Sequence, residues 1–361
     1  MVCRRGRSFL RQPPFFVERV VVLIKAAVVG VNNIGKIHCR YYHEHADARL
    51  VAVCDLNEAL VNDVAIQYNI TGYTDLKTML QNEEIDVISI ATGGKENGSH
   101  HFIPAMLAIE AGKDVLVEKP LSNNIEEARE IVEYANRKRV RLGCNLNHRF
   151  VPSAEHAKKW IDSGELGSLL FINMKLTIGN PNESSPWIHL RALHPHSIDV
   201  IRYFAGDIKR VQAFMTKAPG RTVWSTASIN LEFESGAVGH LTGSYDMDNL
   251  HPIEFCEVAG NRGRLTIDNV FENLTFYPHK SKELKVVRNS VLNGMNGFND
   301  TFKNRIGTFI QEVNDSVPPE KITGSGMDAL AAQEVIEAAI RSQMENGAVI
   351  EVPNYLNKQR L

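Results

Sequence analysis

Lys119 carries the most informative side chain for chemistry, because it lies in the tripeptide Glu118-Lys119-Pro120 directly after the short apolar run 114–117. A proline disfavours helical backbone at the residue before it, so we expect Lys119 to leave a strand in an extended conformation. Open α/β sheets build their ligand sites at the carboxyl ends of strands. The tripeptide therefore predicts an ammonium group at such a site, provided that the residues before it form a nucleotide-binding unit.

A glycine-containing turn near the start of the chain is the candidate for that unit. This glycine turn (residues 30–35) reads Gly30-Val31-Asn32-Asn33-Ile34-Gly35, so asparagine stands at the middle position of the Gly-x-Gly-x-x-Gly dinucleotide fingerprint. We interpret Asn32 as tolerated there because asparagine adopts left-handed backbone more readily than most residues. Asp55 ends the next predicted strand, where a carboxylate accepts hydrogen bonds from an adenosine ribose. The residues predicted to contact the dinucleotide are Gly30, Asn32, Asn33, Ile34, Gly35, Asp55, Thr92, Glu118 and Lys119.

Asp55 also bears on the choice between two nicotinamide cofactors. Its carboxylate favours the free 2′-hydroxyl of NAD and repels the 2′-phosphate of NADP. No arginine follows Asp55 directly, although Lys36 and Arg40 on the first predicted helix could approach that phosphate. The sequence therefore predicts NAD, with NADP as an alternative.

Histidines form a second cluster of titratable side chains in the middle of the chain. His194 and His196 flank Pro195 at the predicted start of a helix. Asp199 follows on a neighbouring position of the same helical surface. Histidine suits proton transfer because its pKa lies near neutral pH. A histidine at a helix start is also commonly a capping or packing residue, so the residue types alone leave both roles open.

Length and composition limit the possible classes of protein. A chain of 361 residues suggests two globular domains, and its net charge of −2 lacks the basic excess of nucleic-acid-binding proteins. The longest apolar run is interrupted by Lys25 and is too short to span a membrane. The five cysteines are scattered and lack a Cys-x-x-Cys pair, which argues against a zinc site or a disulfide framework. We therefore expect a cytoplasmic protein without a metal site.

The first twenty residues differ from the rest of the chain. Four arginines and then Pro13-Pro14 precede Glu18, the first acidic residue. An arginine-rich transit peptide is one interpretation, but the two prolines interrupt any amphipathic helix. We therefore predict that residues 1–20 are a disordered leader.

From residue 21 onward, strand-like and helix-like segments alternate. Apolar runs predict parallel strands within residues 21–31, 49–55, 85–91, 114–117 and 141–144. Helix-like segments lie between them at residues 33–45, 57–68, 75–82, 99–111 and 124–138. Because such alternation implies right-handed crossovers, we predict an α/β fold with a doubly wound parallel sheet.

The second half of the chain has a different pattern. Strand-like runs separated by short turns occupy residues 167–178, 225–234, 237–245, 253–259 and 263–268. Consecutive strands with short connections pair antiparallel. Such a sheet covers one face with helices and leaves the other for a partner, so we expect a homodimer or homotetramer. Residues 327–342 predict an alanine-rich helix near the end.

Several of these segments together resemble the Gfo/Idh/MocA oxidoreductases. The resemblance rests on the glycine turn, on Cys54-Asp55 and on the stretches 101–122 and 145–150. It implies a Rossmann domain, which we place at residues 21–145, and a second α/β domain with an open, predominantly antiparallel mixed sheet, at residues 146–361. It also implies that the nicotinamide lies between the domains beside Lys119. The implied substrate is a sugar, a polyol or a derivative of one.

The resemblance also assigns roles within the candidate site. Family members commonly carry Asp-x-x-x-His-x-x-Asp, in which the histidine touches the reacting hydroxyl. His196 and Asp199 match the last two positions, and Ala192 stands at the first. We therefore expect Lys119 to stabilise charge on the reacting oxygen and His196, or His194 in its place, to take the proton. The predicted substrate contacts are Lys119, Asn145, His148, Arg149, Arg191, His194, His196 and Asp199.

Three functions remain open on this basis. The first is an NAD-dependent oxidoreductase that transfers a hydride between nicotinamide and a secondary alcohol carbon. The second is a catalytically inert protein that senses NAD and a sugar. It is suggested by Ala192, which stands where the family commonly has a carboxylate. The third is a glycosidase of the same superfamily that recycles its cofactor between oxidised and reduced states.

Overall fold

The computed structural model of the protein describes residues 23–250, 252–289 and 295–353. Within these residues the chain forms two β-sheets, one of six strands and one of nine, and helices pack against both. The leader predicted for residues 1–20 lies outside the described residues. The division into domains at residue 145 stays a prediction.

The first sheet is parallel throughout. Its strands are β1 (Ile24–Val29), β2 (Ala48–Cys54), β3 (Thr71–Tyr73), β4 (Val87–Ile90), β5 (Asp114–Val117) and β6 (Leu142–Cys144). The connecting helices are α1 (Asn33–Glu44), α2 (Glu58–Tyr68), α3 (Leu76–Asn82), α4 (Phe102–Glu110) and α5 (Ile125–Lys138). The strand order β3-β2-β1-β4-β5-β6 reverses between β1 and β4, where open sheets bind ligands. The predicted doubly wound sheet is confirmed.

Local signals account for most of these elements. Asn57, Asp75 and Asn124 begin α2, α3 and α5, and each side chain accepts a hydrogen bond from a backbone amide of the first turn. The sequence did not predict β3, because this edge strand is short and mostly exposed and so has no apolar run. The helix α4 begins at Phe102, later than predicted, because residues 98–100 form a turn after the 3₁₀ turn at Lys95–Asn97.

The second sheet is mixed. Its strands are β7 (Leu169–Thr177), β8 (Ile208–Thr216), β9 (Thr226–Phe233), β10 (Val238–Ser244), β11 (Glu254–Gly260), β12 (Gly263–Asp268), β13 (Asn273–Pro278), β14 (Lys285–Arg288) and β15 (Ile350–Glu351). They lie in the order β14-β13-β12-β11-β7-β10-β9-β8-β15. Every neighbouring pair is antiparallel except β7 with β10, which is parallel. The predicted open, predominantly antiparallel sheet is confirmed.

Four further helices of the described residues accompany this sheet. They are α6 (Pro152–Asp162), α7 (Ile188–Ala205), α8 (Asp300–Asn314) and α9 (Gly326–Met344). The helices α7 and α9 pack on each other, α9 also packs on α5, and α8 packs on α1. These contacts join the two sheets into one structure. Among the described residues, the structure contains no helix with the length and apolar character that a membrane crossing requires.

The helix α7 begins earlier than the sequence predicted. It starts at Ile188, so His194 and His196 lie in its middle and Pro195 is inside the helix. An interior proline removes one backbone hydrogen bond, here to the carbonyl of Arg191, and the remaining turns of this long helix tolerate that loss. Successive helical residues point about 100° apart, so His194 and His196 face nearly opposite sides of α7.

The cysteines of the described residues are buried thiols. Cys39, Cys54, Cys144 and Cys256 are free. Burial raises the pKa of Cys39 and of Cys54 to about 12, and it raises the pKa of the other two as well. Because the thiolate is the reactive form, these four side chains serve as core residues and not as nucleophiles.

Candidate active site

Two glycines shape the turn between β1 and α1. Gly30 has a φ of +85°, and a Cβ atom on it would lie 2.6 Å from the backbone nitrogen of Thr92. A Cβ atom on Gly35 would lie 1.8 Å from the carbonyl oxygen of Gly30. Since real Cβ contacts are not this short, no larger residue fits at either position without backbone movement. The glycine turn therefore holds β1, β4 and the start of α1 close together.

Thr92 lies just after β4, with its backbone against Gly30. Its hydroxyl donates a hydrogen bond to the carbonyl of His100 at 2.8 Å. The side chain thus holds the loop that follows β4. A contact of Thr92 with the cofactor stays a prediction.

Asn32, at the middle position of the fingerprint, has ordinary backbone geometry. Its φ is −81° and its ψ is −163°, so our interpretation of it as a left-handed residue was wrong. It precedes the first turn of α1, and its side chain makes no capping hydrogen bond. Asn32, Asn33 and Ile34 are all exposed. A helix start of this kind presents unpaired amides and positive potential, which suits a pyrophosphate.

The carboxylate of Asp55 lies against the same turn. Its Oδ2 accepts a hydrogen bond from the backbone nitrogen of Val31 at 2.8 Å, and its Oδ1 accepts one from that of Asn57 at 2.9 Å. Each carboxylate oxygen has a further lone pair, so the side chain can also accept hydrogen bonds from hydroxyl groups. The carboxylate of Asp55 therefore lies beside the glycine turn and keeps the lone pairs that the predicted ribose contact needs.

We expect Gly30→Ala to weaken NADH binding about 100-fold, because both the left-handed backbone and the contact with Thr92 oppose a methyl group. Gly164→Ala is the matched control, since Gly164 has a φ of +76° but a Cβ atom there meets nothing within 4 Å. Fluorescence titration with NADH measures the affinity. Equal affinities for the two variants would show that the glycine turn does not form the nucleotide site.

Glu118 is buried next to Lys119 and supports it. Its Oε1 accepts hydrogen bonds from Nε2 of His38 at 3.0 Å and from the amide of Asn145. Burial alone would raise the pKa of Glu118, but the hydrogen bond and charge of His38 and the nearby ammonium hold it below its ordinary value. The ionised carboxylate therefore joins the end of β5 to α1 and to the residue after β6. A contact of Glu118 with the cofactor stays a prediction.

Lys119 reaches from the first sheet to the second half of the chain. Its Nζ donates a hydrogen bond to the backbone carbonyl of Ala192 in α7 at 2.9 Å, and its peptide bond to Pro120 is cis. Burial lowers the pKa of Lys119, and the charge of Glu118 opposes that shift. An ammonium so placed suits an oxygen that develops negative charge. Ala192 lacks a carboxylate but still supplies an acceptor through its backbone.

His196 lies one turn after Ala192 on the same side of α7. Its ring stacks on that of His148, with centroids 4.3 Å apart and planes inclined by 11°. Its Nδ1 is buried and has no hydrogen-bond partner among the described residues. Burial, and then the nearby His148 and Lys119, hold the pKa of His196 well below 6.5. The ring is therefore neutral at neutral pH and can accept a proton.

Asn145 and His148 complete this cluster. Asn145 donates its amide to Glu118, while its Oδ1 is buried without a hydrogen-bond partner in the described structure. His148 bonds Glu254 through Nδ1 at 2.8 Å, and its Nε2 is likewise unpartnered there. Because buried polar atoms in folded proteins nearly always have partners, these atoms indicate a place where a ligand or water binds.

His194, the alternative base, lies on the other side of α7. Its Nδ1 is 3.0 Å from the hydroxyl of Ser197, and its Nε2 is 3.0 Å from Nε2 of His189. A Cβ atom on Gly243 in β10 would lie 1.9 Å from Nε2 of His194, so the ring packs directly against the sheet. The structure thus separates His194 from His196, because the rotation of the helix turns the two rings apart.

The buried pair of His189 and His194 makes folding sensitive to acid. Burial lowers the pKa of His189 to about 3 and holds that of His194 well below 6.5. In the unfolded chain both rings protonate near pH 6.5, so below about that pH protons bind the unfolded state preferentially. The free energy of unfolding then falls by up to about 1.4 kcal/mol per pH unit for each histidine.

We therefore expect His194→Gln to make urea unfolding less dependent on pH between about pH 6.5 and pH 5, because one of the buried histidines whose pKa is lowered is gone. The matched control is His43→Gln, since His43 is exposed. The free energy of unfolding at several pH values measures the effect. The same pH dependence in wild type and in both variants would contradict this account.

Arg149 and Asp199, both predicted to contact substrate, instead bond each other. Arg149 donates to both carboxylate oxygens of Asp199, through Nε at 2.7 Å and through Nη2, and it contacts Asp328 at 3.3 Å. Burial alone would lower the pKa of Arg149, but the charges of Asp199 and Asp328 raise it. This buried ion pair joins the 3₁₀ turn after β6 (Asn147–Phe150) to α7 and α9.

Arg191 is likewise held by carboxylates. It donates to both oxygens of Glu337 in α9 at 2.7 and 2.8 Å, and its Nη1 lies 3.3 Å from Glu96. Glu96 is buried in the loop after β4, has a φ of +54°, and accepts a hydrogen bond from Ser185. Two carboxylates therefore neutralise the charge of Arg191, and its contact with a substrate stays a prediction.

The structure thus connects Lys119, His196, His148 and Asn145 in one cluster. It also shows three buried partners that our sequence analysis missed, namely His38, Glu96 and Glu254. None of the three belongs to a motif, and each bonds a residue far away in the sequence, so the local signal was too weak to indicate a role. Among the described residues, no group of three or more histidine, cysteine, aspartate or glutamate side chains could hold a metal ion.

Comparisons with known proteins agree with this architecture. Residues 24–146 match a family model described as an oxidoreductase family with an NAD-binding Rossmann fold, and residues 154–266 match the GFO/IDH/MocA C-terminal domain. An inositol 2-dehydrogenase of Rhizobium meliloti is 25% identical over 344 residues, which cover 89% of this chain and 97% of that protein. An uncharacterised oxidoreductase of Synechocystis sp. is 27% identical over 207 residues, so that alignment spans 54% of this chain and 55% of that relative.

Solved structures extend the comparison to the whole fold. A levoglucosan dehydrogenase in complex with NADH and levoglucosan superimposes with a TM-score of 0.82 at 19% identity. The superposition covers 92% of this chain and 100% of that one. At this identity the likeness shows a shared fold, and both sheets take part in it.

Proposed function

Because this chain belongs to the GFO/IDH/MocA oxidoreductase family and carries an NAD-binding Rossmann domain, we propose that it transfers a hydride between NAD and a secondary alcohol carbon of a sugar or polyol. The observation that carries this proposal is the hydrogen bond from Lys119 to the carbonyl of Ala192. It brings the ammonium at the end of β5 to the face of α7 that also bears His196. A donor and a neutral proton acceptor thus lie near each other where the end of β5 meets α7.

The residues of the candidate active site would each carry out a different part of the reaction. The glycine turn, the start of α1 and Asp55 would hold NAD, which supplies the hydride acceptor when bound. Lys119 donates a hydrogen bond to the oxygen of the reacting alcohol and stabilises the negative charge that develops there. A neutral imidazole takes the hydroxyl proton, and His196 is the candidate that the sequence indicated.

The charged residues of the candidate active site favour a substrate without an acidic group. Arg149 and Arg191 were both predicted to contact substrate, but carboxylates already neutralise them. Of the three cations that the sequence placed in the site, this leaves Lys119 for the reacting oxygen. Inositol and levoglucosan, which appear in the names of the relatives, are neutral and rich in hydroxyl groups. We therefore propose a neutral sugar or polyol in preference to a sugar acid.

The test is a turnover assay with a panel of neutral polyols and sugars and their corresponding sugar acids. With NAD, we expect at least one neutral compound to produce reduced nicotinamide and the sugar acids to produce none. NADP should serve less well, because Asp55 repels its 2′-phosphate. NADH binding without turnover of any compound would favour the inert sensor. Release of an aglycone without net reduction of the cofactor would favour the redox-type glycosidase.

We also propose a homo-oligomer that is joined through the open face of the second sheet. Val238 in β10 is 56% exposed and lies beside Phe171 of the adjacent β7, which is half-buried. Apolar side chains side by side on an open sheet face favour burial against a second copy of the chain. Light scattering should give the mass of a dimer or tetramer, and Val238→Glu should lower it. A monomeric wild type would overturn this proposal.

A further inference from the structure

Glu254 and His148 form a buried carboxylate–imidazole pair. His148 lies in the 3₁₀ turn after β6, Glu254 begins β11, and their side chains are 4% and 5% exposed. Nδ1 of His148 lies 2.8 Å from Oε2 of Glu254. A carboxylate accepts hydrogen bonds, so Nδ1 carries the hydrogen and Nε2 keeps its lone pair. The pair therefore holds His148 in the tautomer that accepts a proton at Nε2.

The described part of the chain leaves that acceptor nitrogen without a hydrogen bond. Nε2 of His148 is buried and lacks a hydrogen-bond partner within residues 23–250, 252–289 and 295–353. The ring stacks nearly parallel on His196, whose Nδ1 is also buried and unpartnered. Rings stacked face to face cannot hydrogen-bond each other through their edges, so the two nitrogens do not satisfy each other. Such atoms indicate a place for a hydroxyl group of a ligand.

The charges around the two rings differ. The charge of Lys119 acts on His196, and in the described part of the chain no carboxylate bonds that ring. A proton on His196 would therefore add a positive charge beside an ammonium. His148 bonds Glu254, and Phe298, whose ring lies 5.5 Å from it, carries no charge. A base becomes positive when it accepts a proton, and Glu254 supplies a carboxylate beside His148, whereas none of the described residues supplies one to His196.

We propose that His148 is the catalytic base of the reaction and that Glu254 positions it. The proposal rests on the proposed function. In the direction of oxidation, the C–H bond breaks and its electron pair passes with the hydrogen to the nicotinamide. The O–H bond breaks, its proton passes to Nε2 of His148, and its electrons form the carbonyl. The alcohol carbon is thus oxidised and the nicotinamide reduced, and the proton later leaves to solvent.

Glu254 acts on the reaction through His148. It fixes the tautomer of the ring and stabilises the imidazolium, as the aspartate does in a Ser-His-Asp triad. Ala192 provides no carboxylate from α7, so on this proposal the carboxylate comes from β11. His196 then orients the substrate hydroxyl and supports the ring of His148 by stacking.

Glu254→Gln tests the proposal, because it keeps the size of the side chain and removes its charge. We expect kcat/KM for a neutral substrate to fall about 10²–10⁴-fold, the usual contribution of a positioned base, while NADH affinity stays unchanged. The acid limb of the pH profile of kcat/KM should move to lower pH, because a neutral amide no longer stabilises the protonated ring. Glu254→Asp should restore part of the rate.

Two further variants make the test decisive. Glu257→Gln is the matched control, since Glu257 lies on the other face of β11 and bonds Arg264, and its kinetics should equal those of wild type. His148→Phe keeps the stacked ring and loses both nitrogens, so it tests the base even if Glu254→Gln fails to fold. Wild-type rates and pH profiles in Glu254→Gln or His148→Phe would overturn this proposal alone. A wild type that oxidises no compound of the panel would overturn the proposed function with it.

Discussion

Lys119→Met is expected to lose about 10³-fold or more in kcat/KM for the alcohol substrate, because one oxyanion-stabilising donor contributes about 10²–10³-fold and Lys119 also orients the reacting oxygen. NADH binding should stay close to that of wild type, since Nζ bonds the carbonyl of Ala192 and not the glycine turn. Steady-state kinetics and fluorescence titration with NADH measure these two effects separately.

Lys113→Met is the matched control for this experiment. Lys113 precedes the same strand β5 at its opposite end, away from the cleft, so its replacement should leave turnover unchanged. Unchanged turnover in Lys119→Met would remove the lysine from the reaction. Loss of NADH binding together with turnover would instead place Lys119 in the cofactor site.

The first sheet could be predicted because its strands are apolar runs bounded by helix caps and glycines. The strand β5 has the predicted bounds, Asp114–Val117. The strand β8 was missed because Lys209 and Arg210 interrupt its apolar residues, and β3 was missed because it is exposed. Such strands form because neighbouring strands pair with them, and pairing across a sheet leaves little trace in the local sequence.

Some residues of the candidate site could likewise be predicted from the sequence, and others could not. The glycine turn and Lys119 could be found from sequence because the backbone demands of a turn and of a strand end are local. Glu254 could not, because it meets His148 across 106 positions of the chain. Whether Arg149 binds a ligand or an internal carboxylate depends on tertiary packing, which brings Asp199 to it from 50 positions away. Residue types therefore indicated the chemistry, and packing decided which residues are available for it.

Arg149→Met is expected to lower the free energy of unfolding by about 3–5 kcal/mol, because it leaves the buried carboxylate of Asp199 without the cation that bonds it. Methionine keeps part of the packing on Tyr203, whose ring centroid lies 5.0 Å from the guanidinium carbon. Urea unfolding at neutral pH measures the loss. Adding Asp199→Leu to this variant should recover part of the stability, because the uncompensated carboxylate causes most of the cost.

Arg264→Met is the matched control, because Arg264 has the same two kinds of partner at the surface. It bonds Glu257 at 2.7 Å and lies 4.6 Å from the ring centroid of Tyr277, but its side chain is 50% exposed. An exposed ion pair contributes about 0–1 kcal/mol, so this replacement should cost little. The two variants remove the same two kinds of contact, but those of Arg149 are buried and include a second carboxylate. Equal losses would therefore show that the ion pair of Arg149 and Asp199 does not hold α7 to the turn after β6.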